Sequence, residues 1–331
     1  MPDLLPFEKR RPQILHKYTC DTNPLLGCPP AERTLEQFLD YAVVNLDKPA
    51  GPTSRAAADM LNRALCVKKS GHSGTLDPAV TGVLPIAIGR ATRVIQTILS
   101  AGKEYICTMD VHRRVRPETI TEVLAAFVGE ITQTPPVRSR VKRDPRKRTV
   151  YYLTVLEIHG RVVKFRVGCQ AGTYIRKLVH DIGQTLKTGA HMAELRRTKA
   201  GPFDESNLCT LDQIADAHRA WDDHGDPQPL RRCLIEPERA VAHLPKIWID
   251  DTVVEPMSFG AALAVPGICK CDDDIQPNAT TAVMTLKDEL TALGKAQMTS
   301  KEMIENKKGI ALKTKKVFIP NGLYKPSKDR C

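Results

Sequence analysis

Gly71-His72-Ser73-Gly74-Thr75-Leu76-Asp77-Pro78, running on as Ala79-Val80-Thr81-Gly82, is the stretch around which this chain is best read. Three glycines in twelve residues allow tight bends and a close approach of backbone to a ligand. Pro78 pushes Asp77 toward an extended conformation, so the outcome is one acid on a stiffened loop. On these residues alone the plain reading is an Asx-type turn, in which Asp77 accepts local N–H groups. A phosphate cradle fits less well, because no Gly-Lys-Ser/Thr ending follows and a carboxylate repels phosphate.

Working outward, Tyr41 to Leu46 reads as a short buried strand ended by Asp47-Lys48-Pro49-Ala50-Gly51-Pro52. Thr53-Ser54 can cap a helix whose apolar positions Met60, Leu61, Ala64 and Leu65 share a face. Downstream, Thr81 to Ile88 is apolar, Thr92 to Leu99 reads as a helix, and Tyr105 to Val111 as a strand. Ile120, Val123, Leu124, Phe127 and Val128 follow helical spacing to a stop at Gly129. Val150 to Ile158 and Val162 to Cys169 form a hairpin turning at His159-Gly160. In its second strand Val163, Phe165, Val167 and Cys169 alternate with Lys164 and Arg166, giving one core face and one basic face. Thr173 can cap a helix with the inward stripe Ile175, Leu178, Val179 and Ile182, which leaves Arg176 off the stripe in the first turn.

Several of these segments carry more than a secondary-structure signal. Gly71 to Pro78, preceded by Leu46-Asp47-Lys48-Pro49-Ala50-Gly51-Pro52-Thr53-Ser54, closely resembles the two N-terminal motifs of the TruB/dyskerin family of RNA pseudouridine synthases. Tyr105 stands where that family has its tyrosine motif. Gly168-Cys169-Gln170-Ala171-Gly172-Thr173-Tyr174-Ile175-Arg176 resembles its third motif, and Glu194-Leu195-Arg196-Arg197-Thr198-Lys199-Ala200-Gly201-Pro202-Phe203 its last. The whole chain is similar to the archaeal-type catalytic branch found in box H/ACA ribonucleoproteins. This resemblance implies Asp77 as the catalytic acid, with Tyr105 stacking on the target base and Arg176 pairing with the acid. Tyr174, Leu195, His72 and Lys48 would line the substrate cleft. Bacterial members carry a longer insertion near 111–117 that grips a tRNA loop, and its lack here implies a guide RNA and small partner proteins instead.

The bulk composition agrees with a polyanionic partner. Lys plus Arg number 49 against 38 for Asp plus Glu, a net charge of +11. Arg138 to Arg148 holds seven basic residues (Arg138, Arg140, Lys142, Arg143, Arg146, Lys147, Arg148) against one acid, Asp144. Such a run is ordinarily a solvated face, yet its place inside the catalytic region suits a loop lying along RNA phosphates. At 331 residues the chain has room for two cored domains. No apolar run reaches the ~18 residues a membrane span needs, and the first residues are charged rather than apolar, so an intracellular protein is expected, cytoplasmic in an archaeal setting and nucleolar in a eukaryotic one. Ten cysteines include no Cys-x-x-Cys pair, which argues against the usual zinc sites and for reduced, buried thiols.

The expected division is an arm over 1–40, a catalytic domain over 41–220, a linker over 221–245 and a PUA-like RNA-binding domain over 246–325. The last rests on the runs Gly260 to Gly267 and Lys308 to Tyr324, with eight lysines between Lys301 and Lys328. The expected fold class is α+β, a mixed, largely antiparallel sheet with flanking helices followed by a C-terminal PUA β-barrel. Isomerising uridine consumes no electrons, metal or nucleotide, so no cofactor is expected, and guide and substrate RNA (rRNA, tRNA) are the expected partners. As the glycosidic bond breaks, positive charge builds on the sugar, and a fixed carboxylate can stabilise it or attack. The alternative is a non-catalytic RNA-binding scaffold that retains the fold.

Overall fold

The structure is a computed structural model that describes residues 3–134 and 144–325. Arg138, Arg140, Lys142 and Arg143 of the basic run lie outside the described residues. In chain order the strands are β1 (Ile14–His16), β2 (Tyr41–Lys48), β3 (Ser70–His72), β4 (Thr81–Gly89), β5 (Lys103–Val111), β6 (Gly129–Gln133), β7 (Arg146–His159), β8 (Val162–Cys169), β9 (Ala190–Ala200), β10 (Lys246–Ile249), β11 (Leu263–Ala264), β12 (Ile268–Asp272), β13 (Thr280–Met284), β14 (Leu290–Ala296) and β15 (Ile310–Val317). The helices are α1 (Leu35–Asp40), α2 (Ser54–Ala64), α3 (Ile95–Ser100), α4 (Pro117–Ala126), α5 (Ile175–Thr185), α6 (Leu211–His224), α7 (Gln228–Cys233), α8 (Asp251–Ser258) and α9 (Ser300–Glu305). They fall into two compact units. One comprises Met1–Lys9, Val44–Ile86 and Ile95–Cys233, the other Arg10–Val43, Ala87–Val94 and Leu234–Cys331.

The first unit is built on an eight-stranded sheet of order β2-β4-β9-β5-β8-β7-β6, with β3 paired to β4. Strand β5 lies antiparallel between β8 and β9, while β4 and β9 run parallel. The alternation expected for β8 holds: Val163, Phe165, Val167 and Cys169 are buried, and Lys164 and Arg166 are not. Helix α5 buries the expected stripe Ile175, Leu178, Val179 and Ile182 in one core with Cys107, Met109 and Val111 of β5. Each of these aliphatic side chains contributes about 1.5–3 kcal/mol of burial, which fixes the helix on the sheet.

Three local expectations are corrected. Helix α2 buries Ser54, Ala57, Ala58 and Leu61, whereas Met60 is exposed, because small residues let the helix approach closely where a methionine would not fit. Helix α5 is capped by Tyr174 without a side-chain hydrogen bond, and the Thr173 hydroxyl instead donates to the Gln170 carbonyl. The stretch over 221–245 is more ordered than a linker: α6 continues to His224, α7 follows, and Leu230, Leu234, Ala240 and Val241 are buried.

The second unit is a seven-stranded sheet of order β1-β12-β10-β13-β14-β15-β11. Its first strand comes from the N-terminal arm, with Ile14 opposite Asp272 and His16 opposite Lys270. Charge fastens the arm further. Arg10 donates to Asp272 (3.2 Å) and Asp274 (2.7 and 2.8 Å), and the Lys17 ammonium donates to the carbonyls of Met303, Ile304 and Asn306 at the C-terminal end of α9. Thr299 and Glu302 form the capping box expected at the start of α9. One expectation fails here: Cys20 and Cys269 form a disulfide rather than remaining free thiols. The pairing of β1 with β12 brings the two cysteines together across 249 residues, a proximity that sequence spacing does not carry. Asp250 lies beside both sulfurs, but bonded sulfurs are not thiolate donors for a metal.

Candidate active site

The loop that carries Asp77 is pinned on both sides of the acid. On one side the Ser54 hydroxyl accepts from the Leu76 N–H (2.8 Å) and donates to the Leu76 carbonyl (3.2 Å). On the other, the Lys48 ammonium donates to the carbonyls of Pro49 (2.8 Å), Pro78 (3.1 Å) and Val80 (2.8 Å), and the Gly51 N–H donates to Pro78 as well. Ser73 N–H donates to the Pro85 carbonyl, which ties the front of the loop to β4. The backbone is thereby held while the Asp77 side chain stays about half exposed.

Across from it, Arg176 stands in the first turn of α5 and pairs with the Asp77 carboxylate through one Nη2 to Oδ2 contact. The helix start is fixed by Gln133 at the end of β6, which accepts from the Tyr174 N–H (3.0 Å) and donates to the Tyr174 carbonyl (3.2 Å). Gln133 is only 2% exposed, so this two-point grip is buried and sets where Arg176 emerges. Tyr174 itself is partly buried beside it.

The remaining residues divide by role. Tyr105 on β5 sits opposite Arg197 of β9, next to a register shift between Glu104 and Tyr105, and Leu195 sits opposite Cys107, partly buried against the α5 core. His72 is held on β3, where burial pushes its pKa down with help from the positive charges of Arg197 and Arg55, against a hydrogen bond to the Gly74 backbone. The shift favours the neutral imidazole. Lys48 corrects the sequence reading: it is 0% exposed and its ammonium is committed to three carbonyls, so it shapes the loop instead of lining the cleft. Desolvation lowers its pKa, with Arg197 adding to the shift and Asp77 opposing it. Of the described basic residues, Lys147 pairs with Glu130 (2.8 Å), while Arg148 packs over Gly172. Arg146, Lys147 and Arg148 form the start of β7, so the basic run passes directly into the sheet.

Comparison with known sequences and structures adds the family. Residues 62–175 match the profile of the TruB family pseudouridylate synthase N-terminal domain, 176–242 that of the tRNA pseudouridylate synthase B C-terminal domain, 245–318 the PUA domain and 4–56 the DKCLD (NUC011) domain. A Pyrococcus horikoshii protein named probable tRNA pseudouridine synthase B is 51% identical over 97% of this chain and 96% of its own. The chain belongs to the TruB family of pseudouridine synthases. The TruB-family protein of the same name from Methanopyrus kandleri is 49% identical over 97% of this chain and 94% of its own. Among solved structures, a chain of a Cbf5–Nop10–Gar1 complex superposes with a TM-score of 0.94 at 50% identity, covering 97% of this chain and 98% of that one. An H/ACA ribonucleoprotein bound to a substrate RNA containing 2′-deoxyuridine superposes with a TM-score of 0.92 at 48% identity, covering 97% and 99%.

Three residues of this TruB-family site escaped the sequence reading. Ser54 looked like part of a helix cap and Gln133 stood out in no pattern; their contacts are with backbone distant in sequence, which no local pattern announces. Arg197 left a signal. Neighbouring residues of a strand face opposite sides, so of the pair Arg196-Arg197 one had to turn inward. Arg196 takes the outer side, with Asp47 (2.9 and 3.1 Å) and Glu205 (2.7 Å), and Arg197 is buried.

Proposed function

We propose that this chain is an RNA pseudouridine synthase that isomerises uridine to pseudouridine with Asp77 as its essential acid, acting within an H/ACA-type ribonucleoprotein. The observation that carries this reading is the ion pair between Asp77 and Arg176 on a loop whose backbone is held by Lys48 and Ser54. A carboxylate so placed is preorganised toward charge that develops on a ribose as its base departs, and it reorganises little at that moment. Tyr105, Leu195 and Tyr174 would receive a base drawn out of the RNA stack. Arg138, Arg140, Lys142, Arg143, Arg146, Lys147 and Arg148 would follow the phosphate backbone. The relative in the Cbf5–Nop10–Gar1 complex supports small proteins as partners, the relative in an H/ACA ribonucleoprotein bound to substrate RNA supports RNA, and the relatives named tRNA pseudouridine synthase B support tRNA as a second substrate class. Archaeal relatives at this identity favour a cytoplasmic setting, and no described helix is long and apolar enough to cross a membrane. We assign 1–40 as an arm, of which Arg10 onward belongs with the PUA-bearing unit and the first nine residues with the other, 41–220 as catalytic and 246–325 as RNA-binding.

The test is Asp77→Asn on guide-assembled substrate RNA and, separately, on unmodified tRNA with the protein alone. Loss of turnover on the order of 10³-fold or more with RNA affinity retained is expected. Near-wild-type turnover removes the catalytic reading and leaves an RNA-holding scaffold.

A further inference from the structure

Strand β9 runs out of step with β5 where the two carry the residues expected at the base. Lys199 lies opposite Glu104 but Arg197 lies opposite Tyr105, so Thr198 is one residue too many. Further along, Glu194 lies opposite Thr108 and Met192 opposite Met109, so Ala193 is another. Two bulges thus bracket Glu194 to Arg197, the stretch that holds Leu195. A bulge gives up ladder pairing and re-aims the side chains beside it.

The bulge beside Tyr105 is held by a buried carboxylate. Thr198 is 6% exposed, and its hydroxyl donates to Glu104 Oε1 at 2.7 Å. Glu104 is 5% exposed, and its Oε2 accepts from the Tyr152 hydroxyl at 2.6 Å. Tyr152 belongs to β7 and reaches Glu104 across β8, where Gly168 lies opposite both residues. A Cβ at Gly168 would fall 2.2 Å from the Tyr152 ring, so a glycine keeps this passage open. One side chain of β5 therefore fastens β9 on one side and β7 on the other. With both oxygens engaged it is fixed in place, since turning away would strand two buried hydroxyls.

Side chains of a strand alternate between faces, so the offset decides where Leu195 points. Counting on from Lys199 opposite Glu104 without the bulge, Leu195 would stand opposite Thr108 and share a face with Glu104. With Thr198 bulged, Leu195 stands opposite Cys107, and both it and Tyr105 pack against the core that holds α5. We propose that Thr198 and Glu104 are positioning residues for the isomerisation: their hydrogen bond locks the bulge, which sets Leu195 on the face of the sheet shared with Tyr105, where the two receive the detached uracil. Neither residue touches the base or exchanges a proton with it. In the reaction the N1–C1′ bond breaks, the C5–C1′ bond forms, the C5 hydrogen leaves to solvent and N1 takes up a proton. The ring has to turn between these steps, and a contact misplaced by about 1 Å can cost up to about 10²-fold in rate. The proposal rests on the reading of the chain as a pseudouridine synthase with Tyr105 and Leu195 against the base.

The test uses the assembled ribonucleoprotein and single-turnover release of tritium from C5-labelled uridine in guide-bound substrate RNA. Thr198→Val keeps the branched shape and removes the hydroxyl; it is expected to slow release about 10- to 30-fold while RNA affinity changes by less than about twofold. Thr198→Ser, which keeps the hydroxyl, should recover most of that rate. Leu195→Ala should slow release as well, and the double variant of Thr198→Val with Leu195→Ala should be no more than about threefold slower than the slower single variant, because both changes act through one side chain. A folded Thr198→Val with wild-type rate, a Thr198→Ser as slow as Thr198→Val, losses that multiply in the double variant, or a loss confined to RNA affinity would each overturn the proposal. If Thr198→Val does not fold, Glu104→Gln takes its place in the cycle with Leu195→Ala, and a wild-type rate or multiplying losses overturn the proposal there. Wild-type protein that releases no tritium overturns the function assignment and this inference with it, whereas wild-type release with an unaffected Thr198→Val overturns the inference alone.

Discussion

Arg176 and Lys48 act on Asp77 from opposite directions, one on its carboxylate and the other on its backbone. Arg176 is some 59% exposed at the side chain and offers a planar fork of donors, so its value lies in aiming the acid more than in stabilising the fold. Arg176→Lys should reduce single-turnover rate by about 10- to 100-fold with a melting temperature close to wild type. A variant that turns over normally would mean that a point charge suffices. Lys48→Met should behave differently. Removing a buried ammonium strands three carbonyls, at a cost of about 2–4 kcal/mol, and both melting temperature and rate should fall together. Unchanged urea unfolding would refute the buried role. The sequence made Asp77 and Arg176 legible because each sits in a motif whose residue types are specific. It left the direction of Lys48 open, since a lysine at a strand exit can turn to solvent or back under the following loop, and the choice depends on carbonyls about thirty residues away.

At the scale of elements, α3 is fastened to β5 by Lys103, whose ammonium donates to the carbonyls of Ile98 (2.7 Å), Leu99 (2.9 Å) and Ala101 (2.7 Å). These are carbonyls at a helix C-terminus, where a cation is favoured. Desolvation nevertheless pushes its pKa from 10.5 down to about 7, with the charge of Arg197 adding to the shift. Between those two values the unfolded chain binds more protons than the folded one, so stability from this group rises with pH across that window and is lowest below pH 7. Comparing urea unfolding of wild type and Lys103→Met should show a difference that moves in favour of wild type by about 2–4 kcal/mol from pH 7 to pH 10. A pH-independent difference would rule out the shifted titration. Helical and strand periodicity located most elements here, including the α5 stripe and the β8 alternation. What it missed were the features that depend on close approach, such as the small-residue face of α2, and on arrivals from afar, such as the grip of Gln133 on the start of α5.

For the whole molecule, two measurements address the basic surface and the arm separately. Replacing Arg146 and Arg148 with glutamine should lower the slope of log affinity against log salt for RNA by roughly 0.7 for each phosphate no longer neutralised, with no change in unfolding. An unaltered slope would take these residues off the RNA path. Reducing the Cys20–Cys269 bond, or replacing both cysteines with serine, should destabilise the second unit by about 2–4 kcal/mol in calorimetry. The arm would still hold Arg10 to Asp272 and Asp274, so its complete release is not expected.

Strand β1 finds its partner β12 only after the chain has been made from residue 14 to residue 272. At about 5–20 residues per second, the ribosome delivers β12 some tens of seconds after β1 has emerged. During that interval β1 has no sheet to join, with Ile14 and Leu15 in search of neighbours. Synthesis of this protein therefore includes a waiting period in which its leading segment is open to chaperones and proteases, and slowing elongation ahead of codon 268 should lengthen that vulnerability without altering the finished molecule.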